Sequence, residues 1–208
     1  MVQNNLARMT CEWFKSTKGN QVSRTKILRL LQPNTWLCDQ IINICLERLV
    51  SEEYHINDTF FFTELTSSNA RLSVPKWDKI LVSCKPWAIP VHLDSHWSLI
   101  VLKNLNQAIF VQYWDSMPNQ SRCQKIESKL LQSYNLFSNV QKQFFFSHNE
   151  NCYIQTDTSS CGLFLIGNMM SLIARKIPCN INPDEARIAI ALLICESIEP
   201  FNDDWPHP

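Results

Sequence analysis

The sequence predicts an α+β fold. Short apolar or alternating runs separated by turn residues crowd the middle of the chain, and helical patterns lie before and after them. Apolar residues make up 45% and charged residues 18%, which excludes a disordered or fibrous chain. At 208 residues the chain suits one compact domain and is short for two. A domain of this size buries about 70% of its unfolded surface, so no disulfide or metal staple is required.

Taken in order, residues 1–25 have weak periodicity and contain Gly19-Asn20, so an arm or irregular lead-in is expected there, followed by one domain over 26–208. Ile41, Ile42, Cys45, Leu46 and Leu49 recur at helical spacing and predict a helix at about 38–52. The segment from His55 to Lys76 is ambiguous: Phe60-Phe61-Phe62 is compatible with a short strand, and Thr66-Ser67-Ser68-Asn69 is loop chemistry. Strands are expected at Lys79–Ser83, Ile89–Leu93, Trp97–Leu102, Ile109–Trp114 and Gln143–Phe146. A helix at about 121–134 interrupts them, with Ile126, Leu130, Leu131 and Tyr134 on one face. Another runs from Cys161 to about Arg175. The last starts at Asn182-Pro183, a cap followed by proline at the first helical position, with Asp184 and Glu185 in its first turn.

Charge and cysteine usage narrow the function classes. Lysine plus arginine equals aspartate plus glutamate at 19 each, so net charge offers no footprint for nucleic acid or an anionic membrane. Met1–Thr10 is polar, without the apolar core of a signal peptide, and the longest apolar run, Ile188–Cys195, is far too short for a membrane span. Nine cysteines then read as thiols in a reducing, intracellular compartment. Their scattered spacing, with no C-x-x-C pair, argues against a structural zinc site, and no cofactor is called for.

The chemistry concentrates in two segments. A hairpin centred on Leu105 and Asn106 would pair Leu102 with Ile109 and, further out, His96 with Asp115. Directly opposed side chains lie about 5 Å apart at Cβ, within reach of a carboxylate–imidazole hydrogen bond that fixes the tautomer. A surface histidine near a surface aspartate would give the same pattern. The second segment, Gln155 to Gly162, is a polar loop running into an apolar helix, with Ser159 or Ser160 as its cap. Cys161 falls in the first turn, where backbone N–H groups and the helix dipole favour thiolate. Gly162 beside it would let a substrate backbone approach closely.

Together these residues make a nucleophile, a base and an orienting acid. Their order, histidine then aspartate then cysteine, is unlike the papain order of cysteine first. Gln155 carries an NH₂ that could line an oxyanion hole with the Cys161 N–H, although a solvated loop residue would look the same. Trp36 and Trp97 either pack in the core or, as exposed indoles, wall a channel admitting only residues without side chains.

Trp36-Leu37-Cys38-Asp39-Gln40-Ile41-Ile42, Ile89-Pro90-Val91-His92-Leu93 with His96-Trp97-Ser98-Leu99, Tyr113-Trp114-Asp115-Ser116-Met117, and Gln155 with Cys161-Gly162-Leu163-Phe164 form four ordered blocks. They resemble the SUMO/sentrin-specific, ubiquitin-like-protein protease family of cysteine peptidases. The resemblance implies a papain-like/adenain-type cysteine protease fold, a central mixed sheet flanked by helices, over 26–208. It implies His96 as general base, Asp115 as its orienter, Cys161 as nucleophile and Gln155 as oxyanion donor. It also implies that Trp36 and Trp97 form a tunnel over a modifier's Gly-Gly tail, with Asp39 near the modifier-binding surface. The implied partner is a ubiquitin-like modifier (SUMO first, then a NEDD-type modifier or ubiquitin), bound by a monomer in the nucleus or cytoplasm. Ser160 and Cys38 depart from the family, which usually carries aspartate and asparagine there. A modifier-binding module that has lost catalysis is the alternative the Ser160 departure leaves open.

Overall fold

The structure is a computed structural model that describes residues 11–176 and 181–200. The parts of the expected lead-in and domain at 1–10, 177–180 and 201–208 lie outside the described residues. The chain runs β1 (Trp13–Ser16), β2 (Gln21–Ser23), α1 (Arg24–Leu30), α2 (Asp39–Arg48), β3 (His55–Ile56), α3 (Phe61–Leu65) and α4 (Ala70–Val82). It continues through β4 (Trp87–Leu93), β5 (His96–Leu105), β6 (Ala108–Trp114), α5 (Gln120–Phe137) and β7 (Gln143–His148). The last elements are α6 (Cys161–Ala174), α7 (Pro183–Cys195) and β8 (Ile198–Pro200).

The central sheet has the order β3-β4-β5-β6-β7 and is mixed, with parallel pairs at both edges and antiparallel pairs in the middle. Both faces are covered, which is why the middle of β5 is apolar without alternation. Ile100 and Leu102 face a core built with Ile89, Val91, Ile109 and Val111 against Phe62, Trp77, Ile80, Ile126 and Leu130 of α3, α4 and α5. Leu99 and Val101 face the other core, with Ile42, Ile44, Leu163, Leu165, Met169 and Ile194 of α2, α6 and α7. α6 is buried nearly all round, as its sequence requires. Among the described residues no helix is long and apolar enough to cross a membrane.

Four expectations are corrected here. The lead-in over 1–25 holds a hairpin: Phe14 pairs with Val22 across a turn in which Gly19 takes φ +91, and both side chains enter the core. β1 also pairs with β8, so three short strands from opposite ends of the chain make a second sheet. The strand considered at 60–62 is helix α3, because the Asp58 carboxylate accepts the N–H groups of Phe60 and Phe61 and turns the chain. The expected strand at 79–83 is the end of α4, capped by Asn69 and burying Ser73, Trp77 and Ile80 on one side. Val82, which would be inward in a core strand, is 83% exposed.

The fourth correction is the hairpin register. β5 and β6 pair Leu102 with Val111, and Leu105 with Ala108, across the two-residue turn Asn106-Gln107. Asn106 takes φ +32, as such turns demand. The shift from the expected register is two residues on the partner strand. Side-chain facing has a period of two, so residues keep their faces and only their exact partners change.

Candidate active site

The site forms where β4, β5 and β6 end together. Asp94 and Ser95, with φ of 51 and 56, make the tight turn that reverses β4 into β5, and His96 is the first residue after it. Asp115 follows Trp114, the last residue of β6, which pairs with Leu99. His96 and Asp115 are therefore offset along the strands, not directly opposed. The imidazole Nε2 still lies 2.6 Å from Asp115 Oδ1, and both side chains are about 5% exposed. Asp115 Oδ1 also accepts the Met117 N–H at 2.9 Å.

With Nε2 bound to Asp115, Nδ1 is the nitrogen left for Cys161, whose thiol shares a hydrogen bond with His96. Cys161 opens α6, and its sulfur also meets the backbone N–H groups of Trp97 and Gly162. Burial pushes the Cys161 thiol up, but His96 and these N–H groups outweigh it and hold the thiol below its ordinary range. For His96, burial pulls the imidazole down, while Asp115 and Cys161 raise it above its ordinary value. Burial raises Asp115, yet the hydrogen bonds from His96 and Met117 and the nearby positive charge keep it low. The contrast is with cysteines that have no imidazole partner: burial pushes Cys45 up to about 12, and it pushes Cys152 to about 11 despite a backbone hydrogen bond from Asp115.

Gln155 lies beside this cluster, only 6% exposed. Ser116 Oγ donates to its Oε1 at 2.7 Å, and its Nε2 donates to the Asp157 carbonyl at 2.8 Å. One N–H of that amide remains for another acceptor. The expected serine cap of α6 takes a different form. Ser160 occupies the cap position without a side-chain cap bond to the helix, and the Asp157 carboxylate accepts the N–H groups of Ser159 and Ser160, each at 2.7 Å. A carboxylate thus serves the approach to Cys161 from three residues upstream of the position where the resemblance leads one to look.

The two indoles part company. Trp36 is 52% exposed, whereas Trp97 is 6% exposed, donates from Nε1 to the Leu37 carbonyl at 3.1 Å and lies tilted against the His92 ring. Of the paired exposed indoles considered from sequence, only Trp36 is at the surface. Asp39 is half-buried in the first turn of α2, next to Cys38 at the cap position. The segment leading to Trp36 is held from α7: the buried Arg187 donates to the Leu30 carbonyl, the Thr35 hydroxyl and, at 2.7 Å, the Thr35 carbonyl.

Gly162 has another role than the expected one. A Cβ built there would stand 2.8 Å from Leu37 Cβ, so its missing side chain admits the Trp36–Cys38 segment and not a substrate. Gly162→Ala is expected to cost about 1–3 kcal/mol by overpacking and to lower turnover by displacing Leu37. Thermal melting checks this, and a variant as stable as the parent would contradict the packing account.

Sequence reasoning passed over Ser116, Asp157, Arg187 and Arg122. Arg122 Nη1 lies 2.8 Å from Asp115 Oδ2 and 3.1 Å from the Met117 carbonyl. A signal for it exists in the sequence. Asn119 caps α5, which puts Arg122 in the first helical turn, where the dipole disfavours a cation unless a carboxylate faces it. Among the described residues no group of three or more histidine, cysteine or acidic side chains is placed to hold a metal.

Residues 35–182 match the family model described as "Ulp1 protease family, C-terminal catalytic domain". The chain belongs to the Ulp1 protease family. The match runs from just before Trp36 to beyond α6 and so includes every residue of the cluster above. Among curated members, ubiquitin-like-specific protease 1A of Arabidopsis thaliana is 34% identical over 109 residues, covering 44% of this chain and 21% of that protein. Sentrin-specific protease 3 of Mus musculus is 29% identical over 165 residues, 74% of this chain and 28% of that protein. The chain thus spans about a quarter of the length of these relatives. The Ulp1-type fold is seen in the yeast Ulp1 protease domain in complex with Smt3, the yeast ortholog of SUMO. That structure has a TM-score of 0.66 at 20% identity, covering 94% of this chain and 92% of that one. The Xanthomonas campestris effector XopD bound to ubiquitin has a TM-score of 0.59 at 18% identity, covering 80% and 93%.

Proposed function

We propose that this Ulp1-family domain is a thiol isopeptidase or endopeptidase that cleaves after the C-terminal Gly-Gly of a small ubiquitin-like modifier, SUMO first. The observation that carries the reading is the buried cluster of His96, Asp115 and Cys161, with the amide of Gln155 beside it. Cys161 thiolate attacks the glycine carbonyl carbon. The oxyanion that forms accepts the free N–H of Gln155 and the Cys161 backbone N–H, one of the donors a helix leaves unpaired in its first turn. His96, protonated and held by Asp115, gives its proton to the departing amine. It then takes a proton from water as that water attacks the thioester, which releases the modifier and restores the thiol.

The steric logic supports a glycine tail. Cys161 is 2% exposed and lies beside the backbone of Trp97, so a substrate reaches the sulfur only as a thin strand. A Gly-Gly end is the thinnest peptide available. Asp39, half-buried at the start of α2, would on this reading stand near the body of the modifier.

The cysteine and histidine shifts set the pH dependence. Cys161 sits below the ordinary thiol range and His96 above the ordinary imidazole range. Activity rises as the thiolate–imidazolium pair forms and falls when His96 loses its proton, and the two limbs belong to the coupled pair. The expected profile is a bell whose alkaline limb lies above the pKa of a free histidine.

The test is hydrolysis of SUMO, a NEDD-type modifier and ubiquitin, each carrying a fluorogenic amide at its C-terminal glycine. Cleavage of the SUMO substrate ahead of the other two is the expected result. A preference for another modifier would move the substrate assignment, and no cleavage of any by a folded protein would favour a binding module.

A further inference from the structure

We propose that Arg122 is a positioning residue of this site, which orients Asp115 and sets a positive charge behind the Asp115–His96 pair. The inference rests on the reading of Cys161, His96 and Asp115 given above. Its ground is geometric. Asp115 has two oxygens and the site divides them: Oδ1 takes His96 and the Met117 N–H, and Oδ2 takes Arg122 Nη1 at 2.8 Å. The same Nη1 donates to the Met117 carbonyl at 3.1 Å, so guanidinium, carboxylate and the 115–117 turn close into one ring. Arg122 is 7% exposed and Asp115 4%, so solvent screens this pair little.

Two features separate a charge role from simple packing. The contact to Asp115 runs through one nitrogen, so the site uses positive charge at a point and not the two-pronged fork for which arginine is usually chosen. Arg122 also stands in the first turn of α5, where the helix end itself carries partial positive charge. A cation there is retained against the dipole, and Asp115 is the acid it meets.

The consequence for the reaction follows from the sum of charges. Asp115 alone would make His96 a strong base and a reluctant acid, yet the mechanism needs the imidazolium to release its proton to the leaving amine. A guanidinium on the far oxygen withdraws part of that attraction, and Arg122 pulls the imidazole down against Asp115. The other ionisable groups packed around His96 and Asp115 are Cys161 from α6, His92 from β4, Cys123 from α5 and Cys152 from the loop before α6. Asp39 of α2 acts on His92, and Glu127 acts on Cys123. Burial raises the thiols of Cys123 and Cys152, and it lowers His92, so none of these titrates in place of His96.

The experiment compares the parent, Arg122→Gln and Arg122→Lys by the pH dependence of iodoacetamide alkylation, read on the Cys161 peptide by mass. This readout needs no modifier. The parent is expected to show two inflections, the lower from formation of the ion-paired thiolate and the upper from loss of the His96 proton. Arg122→Gln is expected to move the upper inflection to higher pH and to cut modifier-amide hydrolysis about tenfold. Arg122→Lys restores the charge and is expected to return the upper inflection to its parental position. Arg122→Gln with an unmoved upper inflection overturns the inference, whatever its rate. If Arg122→Gln does not fold, an upward shift in Arg122→Lys overturns it and a parental inflection with reduced hydrolysis supports it. A parent in which Cys161 behaves as an ordinary thiol overturns the reading of the site itself, and this inference with it.

Discussion

Cys161→Ala is expected to lower turnover by at least about 10⁵-fold while modifier binding persists, because the nucleophile is removed and almost no surface is. Cys161 is 2% exposed, and the substitution leaves its backbone N–H in place. The Gln155 amide, held by Ser116 and the Asp157 carbonyl, stays in place. The informative control is Cys45→Ala. That thiol is fully buried in α2 and pushed up to about 12 by burial alone. Its loss is expected to leave turnover unchanged and to cost about 1–2 kcal/mol through the small cavity created. Turnover at saturating and limiting substrate, a binding titration and thermal melting of the two variants check both halves. Appreciable hydrolysis by Cys161→Ala would remove the basis of the assignment.

Asp115→Asn carries the next largest effect, a fall in kcat/KM of about 10³–10⁴-fold with the fold intact. Two physical changes combine. The amide that replaces the carboxylate can turn its NH₂ toward His96 Nε2, which puts the imidazole proton on the nitrogen that should face Cys161. The charge that raises the imidazole is lost as well, so the alkaline limb of the profile moves to lower pH. Arg122 is left buried against a neutral partner, which adds a stability cost separate from the rate. Kinetics across pH, beside circular dichroism, separate these effects. A loss of less than about tenfold would deny Asp115 the role of orienting acid.

Much of the site was legible because its positions depend on local rules. A cap before an apolar run predicts where α6 begins, and Cys161 is the first residue of that helix. Two apolar runs joined by a short polar turn predict β5 and β6, and the period of two keeps His96 and Asp115 on a common face although the register differs from that expected. What escaped depends on distant partners. The strands β1 and β2 are four and three residues long, and β1 takes its second neighbour, β8, from the other end of the chain, which no window of sequence reveals. The run at 79–83 is apolar enough for a strand. Only packing of Trp77 and Ile80 against the sheet makes it helix. Gly162 reads as space for a ligand until Leu37 is seen to fill that space. Arg122 lies outside every motif, yet it holds the second oxygen of Asp115.

The central claim is that Cys161 is a thiolate nucleophile presented to the glycine end of a ubiquitin-like modifier. The most direct test is reaction with SUMO, NEDD-type and ubiquitin probes carrying an electrophile at the C-terminal glycine, followed by intact mass. The account predicts one adduct per molecule, on Cys161, formed with the SUMO probe ahead of the others and lost in Cys161→Ala. An adduct on another cysteine, or none with any probe in a folded protein, would contradict it.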